Sequence, residues 1–163
     1  MSIVFGDSLS NTIFTSAEDD SVFGLDGNDR IDSGAGNDIV RGGAGNDIIR
    51  GNEGNDVLLG EDGNDILDGG AGDDNLFGGA GADILEGGEG ADTFGFDFSE
   101  FDGLIDEITD FTSGEDTIFI QGAGAHPSVD YDAQTGIVFV NGQAFIQLDA
   151  GLDIDEGTDF FLA

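Results

Sequence analysis

Residues 33–95 read SGAGNDIVR, GGAGNDIIR, GNEGNDVLL, GEDGNDILD, GGAGDDNLF, GGAGADILE and GGEGADTFG, one nine-residue unit repeated without a slip. Upstream, in the same phase, stand GLDGNDRID from Gly24 and two degenerate units that begin at Thr15 and Gly6. Ten consecutive units therefore end at Gly95. A period this regular is typical of a solenoid, in which each unit packs only against its neighbours.

Three positions of the unit carry the pattern. Position six is an aspartate in the eight well-formed units, Asp20 in the second unit and Asn11 in the first, and position four is glycine in the same eight units. Position eight is apolar throughout: Ile13, Val22, Ile31, Val40, Ile49, Leu58, Leu67, Leu76, Leu85 and Phe94. Such spacing fits neither a helix face nor an alternating strand. The unit is therefore predicted to be a six-residue turn and a three-residue strand whose middle side chain points inward.

The net charge of the chain indicates that it binds a cation. The sequence holds 36 acidic residues against three arginines, a formal net charge of −33, and self-repulsion of this size opposes a compact fold unless counter-ions bind. Glycines let carbonyl oxygens turn toward one point, and Ca²⁺ prefers carboxylate and carbonyl oxygens. If two units complete one coil, turns eighteen residues apart stack, so that Asp29 meets Asp47. The position-six aspartates are therefore predicted to ligate Ca²⁺: Asp29, Asp38, Asp47, Asp56, Asp65, Asp74, Asp83 and Asp92.

Composition disfavours several classes of function. An acidic surface repels nucleic acid and anionic lipid, and no apolar run approaches the length of a membrane span. The segment from Met1 to Asp7 lacks a basic start and an apolar core, so no amino-terminal secretion signal is expected. The chain has no cysteine, hence no disulfide or thiolate site. Neither HExxH nor GxSxG occurs and His126 is the single histidine, so no catalysis is expected and His126 is interpreted as a loop residue.

The well-formed units resemble the RTX (repeats-in-toxin) nonapeptides of haemolysin-type calcium-binding proteins. That resemblance implies an all-β fold, a right-handed parallel β-roll with two facing sheets and a file of Ca²⁺ along each edge. It also implies type I secretion of an unfolded chain that folds on binding Ca²⁺ outside the cell, as a structural or binding module.

In that family each ion lies between two stacked turns. The first turn supplies the carbonyls of positions two and four and its aspartate, and the second those of positions one and three and its aspartate. Carried onto this chain, the six sites are Leu25, Gly27 and Asp29 with Gly42, Ala44 and Asp47; Gly34, Gly36 and Asp38 with Gly51, Glu53 and Asp56; Gly43, Gly45 and Asp47 with Gly60, Asp62 and Asp65; Asn52, Gly54 and Asp56 with Gly69, Ala71 and Asp74; Glu61, Gly63 and Asp65 with Gly78, Ala80 and Asp83; and Gly70, Gly72 and Asp74 with Gly87, Glu89 and Asp92.

The two ends of the array leave the ion count open between six and eight. At the amino-terminal end Glu18 replaces the glycine of position four and Asn11 the aspartate, so weak or empty sites are expected there. A seventh site would use Ser16, Glu18 and Asp20 with Ser33, Ala35 and Asp38. At the other end, Asp106 and Asp110 are either ligands of a terminal ion or turn-forming carboxylates.

The period stops after Gly95, so a roll over residues 1–95 and a β-rich cap over 96–163 are predicted. The segment from Asp106 to Ile120 is similar to the one that follows the roll in serralysin-type proteases and in alginate-epimerase repeat modules. The second similarity suggests an alternative function, a carbohydrate-binding accessory module, although the charge opposes a polyanionic glycan.

Two further features of the cap carry predictions. Asn141-Gly142 between residues 137–140 and 143–148 predicts a β-hairpin. The acidic and apolar ending 159–163 is similar to the tails of type I secretion substrates. Asp153, Asp155 and Asp159 are interpreted as solvated, because no twelve-residue calcium loop follows them.

Positions seven and nine flank the inward residue and should point outward. One outer face then gathers Phe23, Ile39, Val57, Leu59 and Phe77. This face is either ordinary solvated strand or is covered, by the segment after Phe96 or by a second copy in a homo-oligomer. On the opposite sheet Arg50 is predicted to lie between Asp32 and Asp68.

Overall fold

The computed structural model describes residues 1–124, 127–155 and 158–163, and only the backbone of Glu100. The described part is all-β apart from a short 3-10 helix at Phe98–Glu100, and it contains no helix with the length and apolarity of a membrane span. His126, predicted to be a loop residue, lies outside the described residues.

The strands form two sheets. The first, called the odd sheet, contains β1 (Ile3–Phe5), β3 (Ser21–Asp26), β5 (Ile39–Ala44), β7 (Val57–Asp62), β9 (Asn75–Ala80), β11 (Thr93–Asp97), β13 (Thr117–Gln121) and β17 (Phe160–Leu162), in that order. The second, called the even sheet, contains β2 (Thr12–Phe14), β4 (Arg30–Asp32), β6 (Ile48–Glu53), β8 (Ile66–Ala71), β10 (Ile84–Glu89), β12 (Asp106–Ile108), β16 (Gln143–Gln147), β15 (Ile137–Val140) and β14 (Val129–Asp132), in that order.

Two nine-residue units make one coil, because each repeat strand pairs in parallel with the strand two units on. Ile39 pairs with Val57, and Val57 pairs with Asn75. The inward residue of position eight is buried in all ten units, from Ile13 at 9% exposure to Phe94 at 0%. The predicted all-β solenoid of the β-roll type is therefore confirmed, with one apolar column between the two sheets.

The prediction of three-residue strands is wrong for most of the roll. From β5 to β10 each strand has six residues and continues into positions one to three of the next unit. Leu25 pairs with Gly43 and Asp26 with Ala44 in this extension. Backbone groups of the turn find partners on the next coil, and that need outweighs the low strand propensity of glycine.

Both sheets run into the cap without a break. β12 pairs in parallel with β10, and β13 with β11. The end of the nine-residue period at Gly95 is therefore a change in loop length and not a gap between packed bodies. The predicted hairpin is confirmed as antiparallel β15 and β16, joined by Asn141 and Gly142 with φ of 53° and 79°, the positive values that a type I′ turn needs.

The five residues of the predicted outer face do share one face of the odd sheet, but Arg41 interrupts it. Phe23 pairs with Arg41, Arg41 with Leu59, and Leu59 with Phe77. The guanidinium of Arg41 lies 2.8 Å from a carboxylate oxygen of Glu61. The predicted face omitted this charged residue.

The segment after Phe96 leaves the Ile39 end of this face open, since Ile39 remains 45% exposed, whereas Phe77 at the other end lines a cavity together with Phe101 and Leu104 of that segment. On the even sheet Arg50 does lie between Asp32 and Asp68, with its Nε 3.6 Å from Oδ2 of Asp68. Half-exposed pairs of this kind contribute about 0.2–1 kcal/mol.

Candidate metal centre

Each position-six carboxylate is tied to the coil before it by the same hydrogen bond. The backbone N–H of Asp29 donates to Oδ1 of Asp47 at 2.7 Å, and that of Asp47 donates to Oδ1 of Asp65 at 2.8 Å. The contact recurs every eighteen residues up to Asp92. The period of the sequence thus becomes two ladders of carboxylates, one along each edge of the roll.

The other oxygen, Oδ2, is buried and has no hydrogen-bond partner within the described residues at eight places, which are Asp29, Asp38, Asp47, Asp56, Asp65, Asp74, Asp83 and Asp92. None of these side chains is more than 2% exposed. Buried polar atoms are normally paired, and an unpaired carboxylate oxygen is costly. Eight of them at one repeat position indicate ligand atoms for a cation.

Backbone carbonyls converge on the same places. A Cβ on Gly42 would collide with Oδ2 of Asp47 and would lie 2.9 Å from the carbonyl oxygen of Gly60. Gly51 is placed in the same way between a carboxylate of its own unit and a carbonyl of the next coil. Glycine at position one therefore leaves a small space bounded by hard oxygen atoms, which fits Ca²⁺.

The two oxygens of one aspartate face different coils. Oδ1 of Asp47 accepts a hydrogen bond from Asp29, one coil before, whereas Oδ2 lies near the carbonyl of Gly60, one coil after. The described residues contain no group of three or more acidic, histidine or cysteine side chains placed to share one metal ion. Each gap between coils instead combines two carboxylates with backbone carbonyls.

Carbonyls of positions two and four also point to the next coil. A Cβ on Gly43 would collide with the carbonyl oxygen of Leu25, and one on Gly45 with that of Gly27. The position-three carbonyl is already engaged, since that of Asp62 accepts a hydrogen bond of 2.8 Å from the Gly45 N–H. A carbonyl has two lone pairs, so this oxygen would have to serve both partners.

Burial raises the pKa of the seven ladder carboxyls from Asp38 to Asp92. The pKa of Asp56 and that of Asp65 rise to about 7, and those of Asp47 and Asp92 to about 6. Burial disfavours the charged form, and the like charges of neighbouring ladder aspartates add to the shift. A cation in the gap would reverse both effects.

At the amino-terminal end of the array, the protein itself supplies hydrogen-bond donors to the position-six carboxylate. Oδ2 of Asp20 accepts hydrogen bonds from Ser16, 3.3 Å from its N and 3.2 Å from its Oγ, and Oδ1 accepts one from the N–H of Ser2. Burial alone would raise the pKa of Asp20, but these hydrogen bonds hold it below its ordinary value. Ser16 and Asp20 of the predicted seventh site therefore lie in contact, and the Asp20 carboxylate already accepts hydrogen bonds from the protein.

Ser33 changes position one in the next unit. Its hydroxyl donates to the carbonyl oxygen of Gly51 at 3.2 Å, within the gap between Asp38 and Asp56. The serine oxygen is itself a hard atom, so this gap keeps its donor set although glycine is absent.

Position two has a left-handed backbone in all eight well-formed units, whichever residue occupies it. Gly43 has a φ of 113°, and the three residues that replace glycine there, Leu25, Asn52 and Glu61, have φ of 82°, 77° and 78°. The left-handed conformation is unfavourable for a residue with a Cβ. The fold holds it because the position-two carbonyl must face the next coil.

In the cap, Asp106 and Asp116 extend the ladders. The N–H of Asp83 donates to Oδ1 of Asp106 at 2.9 Å, and the N–H of Asp92 donates to Oδ1 of Asp116 at 3.0 Å. Sequence reasoning missed Asp116, because it follows Asp92 by 24 residues and so falls outside the eighteen-residue coil. The Asp-Thr-Ile of 116–118, matching Asp-Thr-Phe of 92–94, is the signal that could have found it.

Asp110 takes a different place. Its two oxygens accept hydrogen bonds from the N–H groups of Gly87 and Gly88, at 2.9 and 2.7 Å. It therefore closes the last turn of the repeat and does not continue the ladder.

The interpretation of Asp159 as solvated is wrong, whereas Asp153 and Asp155 are exposed. Asp159 has 0% exposure and accepts hydrogen bonds from Ser113 Oγ at 2.7 Å and from the N–H of Gly114 at 3.0 Å. Ser113 and Gly114 lie more than forty residues away, so no local pattern marks them, although the N–H of Asp155 also donates to Oδ2 of Asp159 at 2.8 Å.

The fold and the two ladders define a parallel β-solenoid with candidate cation sites between its coils. A model of the RTX calcium-binding nonapeptide repeat matches the chain in four copies, over residues 5–40, 33–67, 41–76 and 59–94. These matches cover more than half of the chain, which therefore belongs to the RTX calcium-binding nonapeptide repeat family, and its repeats bind Ca²⁺.

Comparison with curated proteins found no match. Among solved structures the chain is similar to the extracellular lipase LipA from Serratia marcescens, with 20% identity and a TM-score of 0.49. That similarity covers 99% of this chain and 40% of the lipase chain.

Proposed function

We propose that this chain is a module that folds on binding Ca²⁺ outside the cell and that has a structural or binding role without catalysis. The observation that carries the proposal is the row of eight buried Oδ2 atoms that lack a partner within the described residues. The proposed ligands are the six sets named above, one ion in each gap between well-formed turns. Residues 1–95 would form the loaded roll and residues 96–163 its cap.

Folding without metal would leave like charges facing each other in every gap. The buried carboxylates would then be protonated or unpaired, and both states oppose folding at neutral pH. An ion that binds only the folded chain adds its binding free energy to folding. Extracellular calcium modules bind at about 0.1–1 mM, so the chain would stay unfolded in a calcium-poor cell interior.

A calcium titration followed by far-UV circular dichroism tests this proposal. Strand signal should appear cooperatively in the millimolar range or below, and the same concentration of Mg²⁺ should not produce it, because Mg²⁺ demands smaller octahedral sites. A strand signal independent of calcium, or equal with Mg²⁺, would refute it.

Export by a type I system is part of the proposal and is supported by the acidic and apolar ending, residues 159–163. In cells that carry a type I exporter, the full chain should reach the medium, and a chain that lacks these five residues should stay inside. Export of both chains to the same extent would contradict this role of the ending.

Binding of a neutral glycan is the second candidate. The observation that favours it is a stacked aromatic pair on the outer face of the odd sheet, Phe119 and Phe161, with ring centroids 5.8 Å apart and Phe161 60% exposed. Flat aromatic surfaces suit sugar rings, as large apolar contacts with specific geometry. A glycan panel in saturating Ca²⁺ tests it, with Phe161→Ser as the variant that should lose binding.

A homo-oligomer would use the face that holds Phe23, Leu59 and Phe77. Phe5 stacks on Phe23 there, with ring centroids 5.0 Å apart, and is 64% exposed. Light scattering in saturating Ca²⁺ should show a dimer that Leu59→Ser together with Phe23→Ser disrupts. A monomer at all concentrations would exclude this contact.

A further inference from the structure

The unpartnered oxygens do not match the six predicted sites in number or in place. At Asp29, Asp47, Asp56, Asp65 and Asp74, Oδ2 lies beside the position-one carbonyl of the coil that follows. Asp83 and Asp92 turn Oδ1 to the coil before in the same way as these aspartates, so we assign each of the eight Oδ2 atoms to the gap on its carboxyl-terminal side. Six of these gaps are the predicted ones, and the two that remain follow Asp83 and Asp92.

The gap after Asp83 is closed by the cap. Oδ1 of Asp106 accepts a hydrogen bond from the N–H of Asp83, as one ladder aspartate does from another. Gly79 and Gly81, at positions two and four of the last turn on this edge, line one cavity of about 320 Å³ together with Asp102 and Asp106. The last repeat turn on this edge and the cap carboxylate that follows it therefore border the same space.

The gap after Asp92 is closed in the same way by Asp116, whose Oδ1 accepts a hydrogen bond from the N–H of Asp92. A Cβ on Gly87 would collide with Oδ2 of Asp92, as in the repeats. The carboxylate of Asp110 lies at this turn, bonded to the N–H groups of Gly87 and Gly88. Asp116 therefore supplies a second carboxylate at the place where the repeat would put its next turn.

We propose that two further Ca²⁺ sites lie at the junction of roll and cap, one between Asp83 and Asp106 and one between Asp92 and Asp116, so that the chain binds eight ions, four on each edge. This inference rests on the proposed calcium-dependent function and assigns ligands outside the repeat. Asp83 and Asp92 each have 1% exposure and a buried Oδ2 without a partner in the described chain. The gap after Asp20 is excluded, because Ser16 already occupies its Oδ2.

Native mass spectrometry in saturating Ca²⁺ counts the ions, and the compact charge states restrict the count to folded molecules. The wild-type chain should carry eight. Asp106→Asn and Asp116→Asn should each carry seven and the double variant six, because the amide keeps the hydrogen-bond acceptor and loses the charge. Asp20→Asn and Asp153→Asn, the matched controls, should keep eight.

A wild-type count of six would overturn the junction sites while leaving the calcium-dependent roll intact. A count of eight that neither Asp106→Asn nor Asp116→Asn lowers would overturn the assignment of ligands. No bound calcium at all would instead refute the proposed function. If a variant yields too few compact molecules, the calcium midpoint of folding replaces the count: a higher midpoint for both cap variants than for Asp153→Asn supports the proposal, and equal midpoints overturn it.

Discussion

Asp65 takes part in two gaps at once: its Oδ1 accepts the N–H of Asp47 at 2.8 Å, and its Oδ2 faces the following coil without a partner in the described chain. Asp65→Ala should therefore remove two ions and raise the calcium midpoint of folding. Asp153→Ala, outside the ladder, should change neither. Calorimetric stoichiometry measures both, and equal losses for the two variants would show that ladder position has no bearing on binding.

The raised pKa values predict opposite pH dependence with and without calcium. Between the unfolded carboxyl pKa, about 4, and the folded values of about 7 for Asp56 and Asp65, the folded metal-free chain binds more protons than the unfolded chain. The stability that these two carboxyls contribute is therefore fully present below about pH 4 and is lost as the pH rises through about 7.

Acidification of the metal-free chain from pH 8 to pH 5 should thus increase strand content in circular dichroism. In millimolar Ca²⁺ the same change should lower the melting temperature, because protons compete with the ion for the carboxylates. The same direction in both conditions would contradict the raised pKa values.

Leu25 has a strained backbone, and we predict that its replacement by glycine stabilises the protein. Its φ of 82° costs a residue with a Cβ about 1–2 kcal/mol, and glycine loses about 0.5–1 kcal/mol of unfolded-state freedom in exchange. Leu25→Gly should therefore raise the free energy of unfolding by roughly 0.5–1 kcal/mol. Urea unfolding in saturating Ca²⁺ measures it.

Ile39→Gly is the matched control, since both side chains are 45% exposed and Ile39 lies in an ordinary strand. That substitution should destabilise by about 1 kcal/mol. A loss of stability for Leu25→Gly as large as that for Ile39→Gly would contradict the strain.

We predict that residue 95 tolerates only glycine, because the ring of Phe77 fills the space that a side chain would need. A Cβ at residue 95 would collide with the Phe77 ring, and overpacking of this kind costs about 1–3 kcal/mol. Gly95→Ala should destabilise the wild-type chain and cost far less in a Phe77→Ala background, as measured by a double-mutant cycle of melting curves. An equal cost in both backgrounds would place the constraint elsewhere.

The nine-residue period alone predicts the inward residue, the stacking of turns eighteen residues apart and the eight ladder aspartates, because each follows from one short pattern repeated in phase. The period could not predict the roles of residues that lie outside its nine-residue register. Asp116 lies beyond a longer loop, and Asp159 meets Ser113 only through tertiary packing. The period also failed to predict the length of the strands, because glycine locally favours a turn, whereas pairing with the next coil extends the strand.

Asp110 shows the same limit at the level of one side chain. Its acidic character predicts a ligand or a turn residue, and only the bonds to Gly87 and Gly88 distinguish the two. Leu25, Asn52 and Glu61 show the converse, since their left-handed backbone is imposed by the place in the coil and not by the residue.

Small-angle X-ray scattering with and without a calcium chelator at pH 7.5 tests most directly whether the carboxylate ladders need calcium to fold. A compact chain of 163 residues has a radius of gyration of about 15 Å and an unfolded one about 42 Å. We expect a compact, somewhat elongated particle in Ca²⁺ whose radius of gyration expands to about 40 Å on complete chelation. An unchanged compact radius after chelation would contradict it, because the eight buried carboxylates would then tolerate each other without a cation.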